Sequence, residues 1–295
     1  MSEQENITNR NFNSISPSAR SLMLLKGHTN IPYARQTAEL LVSPDKYVPD
    51  LKSRDLTLWA RVLHFENRYM SIDQLIEDLS IKNILELSSG FSFRGLEITG
   101  KRKVHYVDTD LREVIDIKKA FVSELQKSPV REGILELISL NVLDENQFRD
   151  VGALFNDGEI IILNEGLLMY LDMDEKEKLC RTIHSLLEER GGYWITADVY
   201  IKNQQGKLNL TIDDRTKDFF LKHNIEDNKF LSFEEAEKFF NRMGFIIDRK
   251  ANIKGSKLSS LKFFLKSVTL KQLVRLRKGG RMQETWRLRV AKQGS

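Results

Sequence analysis

Four small polar clusters punctuate the middle of this sequence, each directly after an apolar run. They are Ser88-Ser89-Gly90-Phe91-Ser92, Asp108-Thr109-Asp110, Asn141-Val142 and Asn164-Glu165-Gly166. A small-residue turn lets a ligand approach the backbone. A carboxylate about 20 residues further on can accept bonds from both hydroxyls of a ribose. The layout is that of a nucleoside-binding crevice, with Ser88 and Gly90 in the turn and Asp110 as the ribose acceptor. Each residue also has a plainer role open to it. Asp110 is a good cap for a helix starting near Leu111, and Ser88 and Gly90 form a tight turn in any case. Glu165 closely follows the apolar stretch 160–163, where an unpaired carboxylate is costly to bury. A cationic amino group beside it removes that cost.

The elements that must position these clusters follow from the period of the sequence. Residues 82–88 (KNILELS), 104–108 (VHYVD), 134–140 (ILELISL), 159–164 (EIIILN) and 193–199 (YWITADV) are apolar runs of strand length. Helical patterns over 111–126 and 174–190 separate them. The second reads as capped by Asp174 and Glu177 and stopped by Gly191-Gly192, with Leu179, Ile183, Leu186 and Leu187 on one face. Strands alternating with helices predict a mostly parallel, doubly wound sheet. In such sheets ligands bind beyond the carboxyl ends of the strands, where all four clusters fall. A helix over 232–243, capped by Ser232 with Glu235 three residues on, leads into a short strand at 245–248. A last alternating strand at 284–291 puts Trp286, Leu288 and Val290 on one face. These two late strands read as an antiparallel pair with no helix between them.

Ahead of the first strand, residues 21–79 read as helical, with segments at 33–42 and 54–69 broken by Pro44 and Pro49. Residues 1–20 are polar, rich in Asn and Ser, and read as a mobile start. The expected division is a helical cap or lid over residues 1–80 and a nucleoside-binding α/β domain over 81–295.

Composition closes off other classes. The 295 residues are 41% hydrophobic and 30% charged, which is globular. No long apolar run is present and residues 1–10 show no signal pattern, so the expectation is a cytoplasmic protein without a membrane segment. Cys180 is the single cysteine, which excludes disulfide frameworks and multi-cysteine metal sites; no metal is expected. The net charge of +4 conceals a basic end: from Arg249 onward Glu284 is the only acid among 14 Lys and Arg. Such a segment can seek polyanions or simply be a solvated face.

Gly90 stands alone where a dinucleotide fingerprint has three glycines. A pyrophosphate needs that whole fingerprint, so the turn favours a cofactor without phosphates, such as S-adenosylmethionine, over NAD. The string Ile84-Leu-Glu-Leu-Ser-Ser-Gly-Phe-Ser-Phe-Arg94 resembles the first motif of the leucine carboxyl methyltransferase family, which includes polyketide-type O-methyltransferases. His105-Tyr-Val-Asp-Thr-Asp-Leu111, followed by Val114 and Lys118, is similar to its second motif. Asn164-Glu-Gly-Leu-Leu-Met-Tyr-Leu171 is similar to its Glu-Gly-x-Leu-x-Tyr stretch, and Arg68 matches the arginine the family places before its first motif. The resemblance covers roughly residues 60–200.

It implies a Rossmann-like, seven-stranded class I methyltransferase sheet, mostly parallel with an antiparallel last strand, and S-adenosylmethionine as cofactor. By motif position Arg68 meets the methionine carboxylate, Ser88 and Gly90 line the amino-acid part, and Asp110 holds the ribose. Asn141 and Val142 flank the adenine, and Glu165 approaches the methionine amino group. The sequence departs from the pattern at Ser88, Ser89, Asp108 and Asn141. Tyr170 is placed at the pocket wall. The five histidines, His28, His64, His105, His184 and His223, are scattered, and no His/Asp pair stands out as a base; no catalytic residue is assigned. Methyl transfer from a sulfonium needs alignment and exclusion of water above all, and an acidic oxygen needs no base. The expected activity is O-methyl transfer to a carboxylate or hydroxyl of a small-molecule or carboxylate acceptor. The alternatives are an RNA methyltransferase using the basic end, or a non-catalytic nucleoside-binding module. Oligomeric state is not legible.

Overall fold

The computed structural model describes residues 16–126, 132–202 and 214–291. The mobile start read over residues 1–20 falls outside them as far as residue 15. Three helices come first: α1 (Ser16–Lys26), α2 (Ala34–Val42) and α3 (Leu56–Ile76). The alternating region follows as β1 (Asn83–Leu87), α4 (Arg94–Thr99), β2 (His105–Asp110), α5 (Arg112–Leu125), β3 (Ile134–Ser139), α6 (Glu145–Gly152), β4 (Ile160–Asn164), α7 (Met173–Arg190) and β5 (Gly192–Tyr200). The chain closes with α8 (Asp214–Lys222), α9 (Phe233–Arg242), β6 (Phe245–Lys250), α10 (Leu261–Ser267), α11 (Leu270–Gly279) and β7 (Gln283–Val290).

The sheet order is β3-β2-β1-β4-β5-β7-β6. Strands β1 to β5 run parallel, and β7 inserts antiparallel between β5 and β6. This is the seven-stranded arrangement of class I methyltransferases that the motifs implied. The central strands β1 and β4 are buried along their whole length, as helices on both faces require. One face packs Ile160, Ile162 and Trp194 against Leu179, Ile183 and Phe240; the other packs Ile161, Leu163 and Ile195 against Ile72, Leu75 and Ile76. The C-terminal half of α3 is therefore part of the sheet's helical layer. Gly192 is obligatory where β5 starts: a Cβ there would lie 2.0 Å from the Ile160 carbonyl oxygen.

Two local expectations are corrected. The cap of α7 sits two residues earlier than read: Asp172 accepts from the Glu175 N–H and the Glu175 carboxylate accepts from the Asp172 N–H, a complete capping box. Asp174 lies inside the first turn and Glu177 reaches out to Arg242. The late strands do pair antiparallel, but α10 and α11 stand between them. Their many lysines and arginines hide a short apolar stripe, by which α10 packs Phe264 against Trp59 and Val62 of α3. The Phe263 ring stacks on Trp59 at 4.5 Å. Glu66 on α3 secures the join, accepting from the Ser259 and Ser260 N–H groups at 2.8 and 2.9 Å and from both hydroxyls. Both carboxylate oxygens thus meet the positive end of α10.

Candidate active site

The turn after β1 is strained where it must be. Ser88 and Gly90 adopt φ of 50° and 56°, which glycine tolerates and serine rarely does. Asp110 at the end of β2 holds this turn in place. One carboxylate oxygen accepts from the Gly90 N–H and the other from the Leu111 N–H, each at 2.7 Å. Burial raises its pKa against the pull of those two N–H groups. A carboxylate has about four acceptor sites, so Asp110 keeps capacity for a ligand's hydroxyls. It does not cap α5 with its side chain, whose N-cap is Leu111. Asp108 turns to the interior instead, pairing with the fully buried Lys118 at 2.6 Å and accepting from Ser89 Oγ.

The loop after β4 is folded around a second carboxylate. Asp198 on β5 accepts from the Gly166, Leu167 and Leu168 N–H groups at 2.7, 2.6 and 3.1 Å and from the Asn164 side chain at 2.6 Å. That wrap turns Glu165 back over the edge of the sheet. Gly166, at φ 87°, allows it: a Cβ there would come within 3.2 Å of Arg68 Nη2.

Glu165 is the hub of a buried ion cluster. Its Oε1 accepts from Lys26 Nζ at 2.6 Å and from Arg68 Nε and Nη2 at 3.2 Å, and its Oε2 accepts from Arg94 Nη2 at 3.1 Å. All four side chains are 5% exposed or less. Burial alone would raise the Glu165 pKa, but the charges of Lys26, Arg68 and Arg94 outweigh it and hold it down to about 2. The penalty foreseen for burying this carboxylate is thus met by the protein's own cations. Arg94 also reaches Asp73 and Glu86 and lies over the Tyr69 ring at 3.8 Å. Arg68 donates from Nη1 to Tyr200 Oη at 2.9 Å, and Tyr200 meets His64 Nε2 at 2.7 Å.

Of these groups Lys26, His64, Arg68, Asp110, Glu165 and Tyr200 line one cavity of about 910 Å³ at the carboxyl edge of the sheet. Arg68, Ser88, Gly90, Asp110, Asn141, Val142 and Glu165, all named from the sequence, lie on its wall together with Tyr170. Asn141 Oδ1 accepts from the Leu143 N–H at 3.1 Å, fixing the turn that presents Val142. Helix α1 lines the cavity from Ser18 to Lys26, and α3 adds Thr57, Arg61, His64 and Phe65. Sequence reasoning missed Lys26, Arg94, Asp198 and Tyr200 and set His64 aside. Arg94 closes the first motif string, and Tyr200 directly follows the predicted strand 193–199, so position along the edge was the available signal for both. Lys26, in the helical preface, carried none.

No family model matches this chain, and no curated protein matches it. Among solved structures it is similar to the mitomycin 7-O-methyltransferase MmcR, with 11% identity over 96% of this chain and 69% of that one and a TM-score of 0.47. An O-methyltransferase family protein from Burkholderia thailandensis shows 12% identity over 83% and 61%, with a TM-score of 0.46. LepI, solved with SAH and a substrate analogue, shows 7% identity over 88% and 53%, also at 0.46. The chain spans about half the length of LepI. The functional reading therefore rests on this chain's own sheet order and cavity.

Proposed function

We propose that this chain is an S-adenosylmethionine-dependent O-methyltransferase acting on a small-molecule acceptor. The observation that carries the reading is the gathering of Asp110, Val142 and the Lys26–Glu165–Arg68 cluster in one cavity at the carboxyl edge of this particular sheet. The residues fit such a cofactor. Asp110 has acceptor sites left for ribose hydroxyls, and Val142 with Leu140 and Leu143 forms an apolar slot suited to a purine. Glu165 holds Lys26 and Arg68 as a pair of cations suited to a carboxylate. Its less crowded oxygen, Oε2, is the acceptor for an amino group. The cavity volume is within the range of about 300–1,000 Å³ usual for small-molecule sites.

When bound, the cofactor supplies an electrophilic methyl group on a sulfonium. The chain's part is to hold, orient and exclude water. Helix α1 covers the site and is tied down by Lys26 on Glu165 and by Ser18 on the Tyr170 hydroxyl at 3.1 Å. The acceptor side is largely apolar, with Leu22, Leu25, Phe65, Phe219 and Phe220. The RNA alternative is not favoured: among the described residues nothing after Lys229 lines the cavity, so the basic end from Arg249 contributes nothing to it. No described helix is long and apolar enough to cross a membrane.

Titration calorimetry with S-adenosylmethionine and its demethylated product SAH tests the reading. One site per chain at micromolar affinity is expected for each, weakened on the order of 10- to 100-fold in Asp110→Ala with the fold intact. No heat from either compound would overturn it.

A further inference from the structure

His64 stands at the junction of cofactor grip and acceptor space. On α3 it is one turn before Arg68, about 6 Å along the axis, and it lines the cavity. Its Nε2 lies 2.7 Å from Tyr200 Oη, which already accepts from Arg68 Nη1 at 2.9 Å. A guanidinium only donates, so the phenol oxygen is the acceptor in that bond. Among the described residues the phenol proton then has one partner, His64 Nε2. The reverse arrangement, with Nε2–H donating to the phenol, would leave a buried hydroxyl proton without an acceptor among the described residues, which is costly. The chain Arg68→Tyr200→His64 therefore leaves the imidazole proton on Nδ1.

We infer that His64 is a positioning residue: a neutral imidazole locked as the Nδ1–H tautomer, which donates into the cavity and holds the methyl-accepting oxygen. The inference rests on the function proposed above and deepens it. A locked donor cannot take a proton from the acceptor, so the acceptor must arrive with an oxygen already bare of its proton. That describes an oxyanion, such as a carboxylate or enolate, on an apolar body that fits among Leu22, Leu25, Phe65, Met169, Phe219 and Phe220. No proton moves in this role; Nδ1–H donates and keeps its hydrogen. The charges that reach His64 are Arg68, Glu165 and Lys229. Burial first, then Arg68, push its pKa down to about 3, so the ring stays neutral through the working range.

Nitrogen-15 correlation spectra of histidine-labelled protein read the tautomer directly, with His64→Asn identifying the signal among the five histidines. The expected result is a neutral Nδ1–H ring from pH 5 to 9. In Tyr200→Phe, which removes the phenol proton, the ring should pass to Nε2–H or a mixture. Acetate added to the SAH-loaded protein, as the smallest oxyanion probe, should move the Nδ1–H signal saturably, while ethanol at the same concentration should not. An Nε2–H tautomer in the wild type, a ring that titrates near 6.5, or an Nδ1–H signal blind to acetate overturns the inference. Calorimetry with SAH separates the two layers: an Nε2–H ring in a chain that binds SAH sinks this inference alone, and failure to bind SAH sinks both.

Discussion

Replacing Glu165 by Gln removes one negative charge from among three buried cations while keeping shape and an acceptor oxygen. Arg94 retains Asp73 and Glu86 as partners, and Arg68 retains Tyr200. Lys26 loses the only carboxylate it meets among the described residues, in a site where burial already depresses its pKa. Breaking a buried pair from one side costs about 3–5 kcal/mol. Lys26 has an escape that caps the loss: it can give up its proton. From an unfolded lysine value of about 10.4, deprotonation at pH 7 costs about 4.6 kcal/mol, at about 1.36 kcal/mol per pH unit. The folded variant then binds one proton fewer than its unfolded chain, so its stability rises with pH. Burial already lowers the wild-type Lys26 pKa while Glu165 opposes that pull, so removing Glu165 lowers it further and adds to the slope. Urea unfolding followed by circular dichroism at pH 7 and pH 9 should show a deficit of about 3–5 kcal/mol at pH 7 that shrinks at pH 9. At the acid end the sign reverses. Glu165 is held down to about 2 in the fold, so its contribution is full above the unfolded value of about 4.3 and fades as pH falls through about 2. A deficit below about 1 kcal/mol, the usual worth of an exposed pair, or one equal at both pH values, would refute a buried cluster at this hub.

Three further outcomes rest on the same geometry. Asp110→Ala removes charge-assisted bonds to the turn and to a ribose; at about 1.5–3 kcal/mol for such bonds, SAH affinity should fall on the order of 10- to 100-fold, measured by calorimetry. Gly166→Ala meets both the positive φ and the Arg68 guanidinium, and should cost about 1–2 kcal/mol in urea unfolding from the backbone alone. Glu66→Ala strips the acceptors from Ser259 and Ser260; a loss of about 2–4 kcal/mol is expected, with hydrogen exchange accelerating first at residues 261–267.

The sheet was legible because its strands are central and doubly covered, so runs such as 160–163 are apolar without interruption. The clusters at the carboxyl edge were legible for the same reason: each is the first polar break after such a run. Cap register was harder. Asp172 and Asp174 both precede acids three residues on, and only the preference of Leu171 for the core, where it is 2% exposed, decides between them. Helices α10 and α11 escaped because α11 buries none of its residues and α10 only Phe264, too little for a periodic signal. Lys26 could not be read at all. It lies far from Glu165 in sequence, and nothing in a lysine two residues before His28 says that it will fold over a sheet edge. Glu165 was read as wanting the cationic amino group of a cofactor; the three cations that meet it in the fold are the protein's own, from α1, α3 and α4.

If this cavity takes an S-adenosyl nucleoside, it should do so in one orientation, and a crystal structure of the chain grown with SAH decides the matter. Ribose hydroxyls should lie on the Asp110 carboxylate, the purine against Val142 beside Asn141, and the amino-acid carboxylate facing Lys26 and Arg68. A cavity that excludes SAH at millimolar concentration, or a nucleoside seated away from Asp110 with its carboxylate pointing away from those cations, would show the assignment to be wrong.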